Sequence, residues 1–179
     1  MPYIIALSAV ILILLFWWIA TSNRFRQLLV KIDEASSGLD IALIKRYNTL
    51  TKLLDITKAY AGHEAETLKT IVNLRKGMSI WEKSDANEKL DNIKDKIIVI
   101  AESYPELKSS ENFRQLQVTT ADVEEHLQAA RRLYNSNVSM FNQLIVTFPQ
   151  SLVSKSMHLV KREFFSEGEA KKADVAMNF

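Results

Sequence analysis

In 179 residues there is room for one compact domain and one short extra segment, but not for two catalytic domains. Four glycines, three prolines and charges of both signs spread through the chain describe long helices rather than strands and turns, so an all-α fold is expected. The absence of cysteine excludes disulfides, cysteine-bound metals and thiol nucleophiles, and a net charge of only +2, with both signs dispersed, argues against nucleic acid as a partner.

From Tyr3 to Ala20 the chain carries no charge and no strong helix breaker. Eighteen residues at a rise of about 1.5 Å reach about 27 Å, close to the thickness of a bilayer's hydrocarbon layer. Tyr3 at one end and Trp17 and Trp18 at the other stand where amphipathic rings favour the headgroup zone. The first charges are Arg24 and Arg26, followed by Lys31, which by the positive-inside rule places the C-terminal body in the cytoplasm. A cleaved signal peptide is the competing reading, but a basic leading region is missing and Trp18 makes a poor cleavage context. Residues 1–23 are therefore expected to anchor the chain in the lipid bilayer.

Beyond the anchor, Phe25, Leu29, Ile32, Ser36, Leu39, Leu43, Tyr47, Leu50, Leu54 and Thr57 recur at three- and four-residue steps, which predicts a helical stripe. With no proline between Tyr3 and Ala61, the anchor is expected to continue into it as one long helix, rigidly coupled, with Gly38 its weakest point and Gly62 its stop. A second helix is expected through Leu68, Ile71, Val72 and Leu74, ending at Gly77. A third is expected to start at Asp85, with Glu88 completing a capping box, and to run through Leu90, Ile93, Ile97, Ile98 and Ala101 to Tyr104. After a loop over 105–110, Phe113, Leu116, Thr120, Val123, Leu127, Ala130, Tyr134, Val138, Phe141, Ile145 and Phe148 predict a second long helix, antiparallel to the first and ending at Pro149. The segment Leu152 to Phe165 reads as a short amphipathic helix. The expected organisation is an anchor over 1–23, an antiparallel helical bundle over 24–165, and a charged, mobile tail over 166–179.

Motifs for chemistry are sparse. Asp122, Glu125 and His126 share a helical face, but such a polar cluster is more often solvated than metal-bound, and no H-E-x-x-H or di-metal Glu-x-x-His spacing occurs. His63 beside Gly62 suits a helix-end carbonyl better than catalysis. Phosphate-binding glycine loops and nucleophile elbows are missing as well. Arg131-Arg132 and Lys161-Arg162 suit either lipid headgroups or a solvated face. Tyr47, Tyr60, Tyr134, Phe141 and Phe148 fall on or near the apolar stripes and read as core. Leu152, Met157, Val160, Phe164 and Phe165 make the last segment so apolar that it must cover the bundle, a second copy or the membrane, and they form the candidate interaction surface. No catalytic residue, metal or cofactor is expected.

Several short pieces resemble, in order, the LemA family of bacterial membrane proteins. They are Lys45-Arg46 with Leu50 and Leu53; Lys58-Ala59-Tyr60-Ala61-Gly62-His63-Glu64 with Thr67-Leu68; and Ala101-Glu102-Ser103-Tyr104-Pro105-Glu106-Leu107-Lys108 with Phe113 and Leu116. Ala130-Arg131-Arg132, Tyr134-Asn135, Phe141-Asn142, Phe148-Pro149 and Phe164-Phe165 continue the series. Thr51, where the family commonly has proline, and the ending Val175-Ala176-Met177-Asn178-Phe179 depart from the pattern. The resemblance implies an N-terminal span carrying a helical bundle in the bacterial inner membrane, in association with membrane metalloproteases or membrane-organising functions. The expected function is a non-enzymatic, laterally self-associating scaffold for another inner-membrane protein. The alternatives are a metal-dependent or hydrolytic enzyme with a site inside the bundle, built on Asp122, Glu125 and His126, and an accessory protein in membrane signalling.

Overall fold

The computed structural model describes residues 1–62 and 77–166. Among them the fold is all-α, with helices α1 Pro2–Ala61, α2 Ile80–Ser103, α3 Pro105–Ser109, α4 Glu111–Val146 and α5 Gln150–Ser156. The helix expected through Leu68 and Leu74, the His63 cap and the tail beyond residue 166 lie outside the described residues.

Helix α1 runs unbroken through Gly38, as the lack of proline predicts, and stops where glycine permits it to stop. Gly62 takes φ +51°, and its N–H donates to the Lys58 carbonyl at 3.1 Å, closing the last turn. Contacts divide the chain into two units, Met1–Ser36 with Leu133–Glu163, and Ser37–Arg132 with Phe164–Phe179.

In the first unit, α1 is exposed on every side through Phe16, and its buried stripe begins at Thr21 and continues at Phe25, Leu28, Ile32 and Ala35. The Phe25 and Phe141 rings meet edge to face, centroids 6.0 Å apart at 87°. Asn137 Nδ2 donates to the Lys31 carbonyl at 3.2 Å. Partners rise along α1 as they fall along α4, so the two segments run antiparallel, as predicted. Val153 is fully buried, and Ser154 Oγ donates to the Ile145 carbonyl at 3.1 Å, folding α5 back on the end of α4.

The last segment is helical only to Ser156, not to Phe165. His158 adopts φ +51°, its N–H donates to the Lys155 carbonyl at 3.1 Å, and the Leu159 N–H donates to the Ser154 carbonyl at 3.0 Å. This pair of bonds is a Schellman stop, built on histidine instead of glycine. The chain then continues without helix and is tied to α4. Asn142 Nδ2 donates to the Arg162 carbonyl and Arg162 N donates to Asn142 Oδ1, both at 2.8 Å.

In the second unit the core comprises Leu50, Leu53, Leu54 and Ala61 of α1, Ala86, Leu90, Ile93, Ile97 and Ala101 of α2, Leu107 of α3 and Phe113 of α4. Helix α2 begins at a capping box on Ser79, not at Asp85. Glu82 N donates to Ser79 Oγ at 3.2 Å and Ser79 N donates to Glu82 Oε2 at 2.7 Å. Asp85 instead pairs with Lys89 one turn on, at 2.7 Å. The stretch expected as a loop after Tyr104 forms α3, because Pro105 suits the first helical position, where its missing N–H leaves no bond unmade. α3 also buries Leu107 completely.

Candidate functional site

The most unusual surface in the first unit is the beginning of α1. An 18-residue apolar stretch there is long enough to cross a membrane, and none of it is buried. A helix apolar on all sides is characteristic of a protein core or a membrane span. Tyr3 and Trp18 are exposed and Trp17 is half-buried; Arg24 and Arg26 are exposed after them.

The candidate interaction residues separate. Leu152 and Val160 are exposed and Met157 is half-buried, all in the first unit. Phe164 and Phe165 belong to the second, and they point opposite ways: Phe164 is 49 % exposed and Phe165 only 2 %. Phe165 is thus core, a correction that follows from the non-helical backbone, in which neighbouring side chains take opposite faces. Phe148, expected on the stripe of α4, is 76 % exposed because α4 ends at Val146.

The second unit holds a group that hydrophobic patterning passed over. Arg46 lies in the buried stripe of α1 between Leu43 and Leu50 and is 1 % exposed. Its Nε donates to Glu124 Oε1 at 2.9 Å, and its Nη2 to the same oxygen at 2.7 Å and to Asp91 Oδ1 at 2.5 Å. Nη1 donates to Asn87 Oδ1 at 2.6 Å and to the Asn87 carbonyl at 3.1 Å. Lys94 completes the cluster, 3.6 Å from Glu124 and 3.7 Å from Asp91. Two cations thus face two carboxylates across three helices, which is how a buried guanidinium is tolerated. A polar cavity of about 110 Å³ opens beside them, lined also by Leu127, Gln128, Arg131 and Phe165. The signal was present in the sequence, since position 46 is three after Leu43 and four before Leu50, yet a search for apolar residues steps over it to Tyr47.

Asp122, Glu125 and His126 are all exposed on α4, and among the described residues no group of three or more His, Cys, Asp or Glu is placed to hold a metal. The arrangement around Arg46 joins helices; its charges answer one another.

Fold and site together define a helical-bundle protein whose first helix begins as a bare apolar rod. A sequence model of the LemA family matches residues 35–179, which is most of the chain and starts beyond the apolar stretch. The chain belongs to the LemA family. It is similar to Protein LemA of Metamycoplasma hominis, with 27 % identity over 165 residues, covering 89 % of this chain and 75 % of that protein.

Proposed function

We propose that the chain is a single-span membrane protein whose helical body is a non-catalytic scaffold, associating laterally with its own copies and holding another membrane protein. The observation that carries this reading is the uncovered apolar start of α1, which needs lipid around it. The reading places the protein in the bacterial inner membrane with its body in the cytoplasm, on the strength of Arg24, Arg26 and Lys31 following the span. Confinement to a plane raises the effective concentration of neighbouring copies, so a modest surface such as the exposed Val160 suffices for assembly. A membrane-embedded protease is the partner class that the family resemblance implies.

Two measurements test it. Membranes containing the full chain, washed with alkaline carbonate, are expected to retain it; release into the wash overturns the anchor. Affinity purification in mild detergent, with the mass of the particle measured, is expected to give several copies together with a membrane protein. A bare single copy overturns the scaffold.

A further inference from the structure

Within the first unit, α4 runs toward the end of α1 that emerges from the apolar stretch. Phe141 lies against Phe25, and the five residues from Phe141 to Val146 advance about 7.5 Å further along the antiparallel direction. That brings the end of α4 to the level of Thr21 and Trp18. The exposure of α1 places it there independently, since Trp17 is the first residue to lose exposure and Thr21 the first to be buried.

At this level the corner between α4 and α5 presents Val146, Phe148 and Leu152 to the outside, exposed by 59 %, 76 % and 50 %. A large aromatic and two aliphatic side chains left bare together at the height of an interfacial tryptophan pair match the boundary between headgroups and acyl chains. Charge points the same way. The first unit carries six cations, Arg24, Arg26, Lys31, Lys155, Lys161 and Arg162, against three acids, Asp33, Glu34 and Glu163. Each of the six cations is exposed. Such an excess of positive charge attracts anionic headgroups.

We infer that the α4–α5 corner is a second membrane contact: Phe148 and Leu152 enter the surface of an anionic bilayer beside the point where α1 leaves it, and the surrounding Lys and Arg side chains hold the headgroups. This rests on α1 being the span. The first unit then meets the membrane at two places, the span and the corner.

The lack of cysteine makes the test direct. Single variants Leu7→Cys, Val30→Cys and Phe148→Cys of the full chain, all at exposed positions, are labelled with a nitroxide and reconstituted in vesicles of phosphatidylcholine and phosphatidylglycerol. Collision with oxygen reports lipid, and collision with a water-soluble nickel chelate reports water. Position 7 is expected to read as lipid and position 30 as water. Position 148 is expected to follow position 7, with nickel collisions several-fold below those at position 30. If 148 follows 30 while 7 remains in lipid, the second contact is overturned and the span stands. If 7 itself reads as water, the span reading fails and takes the inference with it. Shielding of 148 from both reagents means protein covers it, a second copy, and also overturns the lipid contact.

Discussion

The guanidinium of Arg46 and the carboxylate of Glu124 meet through one oxygen, which accepts from Nε at 2.9 Å and from Nη2 at 2.7 Å. The two residues are on different helices, 78 positions apart. Asn87 and Asp91 on α2 take the remaining guanidinium donors, so one side chain from α1 ties three helices at a single level. Burying an arginine is expensive unless its donors are answered, and here each guanidinium nitrogen makes at least one bond. The network therefore resists removal of any one member more than its net contribution would indicate.

Replacing Arg46 with Ala leaves Asp91 and Glu124 only the longer pairings with Lys94, at 3.7 and 3.6 Å, and takes one donor from the Asn87 carbonyl. The two carboxylates retain some access to water, with 16 % and 25 % of their side chains exposed, so the loss falls at the lower end for a broken buried pair, about 3 kcal/mol. Arg46→Lys is expected to recover only part of it, because one ammonium lacks the planar fork that serves three partners at once. Thermal melting of the full chain in detergent, followed by helical circular dichroism, checks both. A melting curve for Arg46→Ala that overlays the wild type contradicts the role given to the network.

The neighbours Phe164 and Phe165 offer a comparison in which chemistry is constant and burial alone differs. Phe165→Ala empties a buried site and is expected to cost about 3 kcal/mol or more, whereas Phe164→Ala should stay within about 0.5 kcal/mol of the wild type. Equal effects of the two variants in the same melting assay contradict the alternation of faces along this segment.

Much of this architecture was legible because burial in long helices leaves a periodic trace. Phe25, Ile32, Leu39, Leu50, Val123, Leu127 and Phe141 were all placed on their stripes, and all are buried. What was missed lacks such a trace. The stop after α5 uses His158 in a conformation usually left to glycine, so the sequence carries no glycine to mark it. At the start of α2, Ser79 with Glu82 and Asp85 with Glu88 offer the same spacing of cap and acid, and the earlier pair begins the helix. Arg46 escaped because patterning counts apolar residues, and a charged residue in a buried stripe becomes intelligible only once Asn87, Asp91 and Glu124 are seen around it.

That capping box is itself open to test. Ser79→Ala removes the acceptor for the Glu82 N–H, and the helix start should weaken by about 1 kcal/mol. Ser79→Asp keeps an acceptor in place and is expected to stay near the wild type, which separates the cap from any other effect of the hydroxyl. If Ser79→Ala and Ser79→Asp melt together, the cap contributes nothing.

Tyr134 supplies a pH-dependent prediction. Burial raises its pKa above the ordinary 10.0; Arg162 pulls the other way, and Glu163 and Asp33 add to the rise. The phenol O–H also donates to the Glu163 carbonyl at 3.1 Å, which only the protonated form can do. Because the folded protein holds this proton more tightly than the unfolded chain, the contribution is complete below pH 10 and declines as pH climbs through the folded pKa. Tyr134→Phe keeps the ring and loses the bond, so near neutral pH it should be less stable by about 1 kcal/mol. The difference between wild type and variant should then shrink as the solution becomes strongly alkaline, while the other tyrosines, common to both proteins, cancel. Paired denaturation curves taken in steps from neutral to alkaline pH measure it, and a difference that stays constant throughout shows that the Tyr134 proton is not held by the fold.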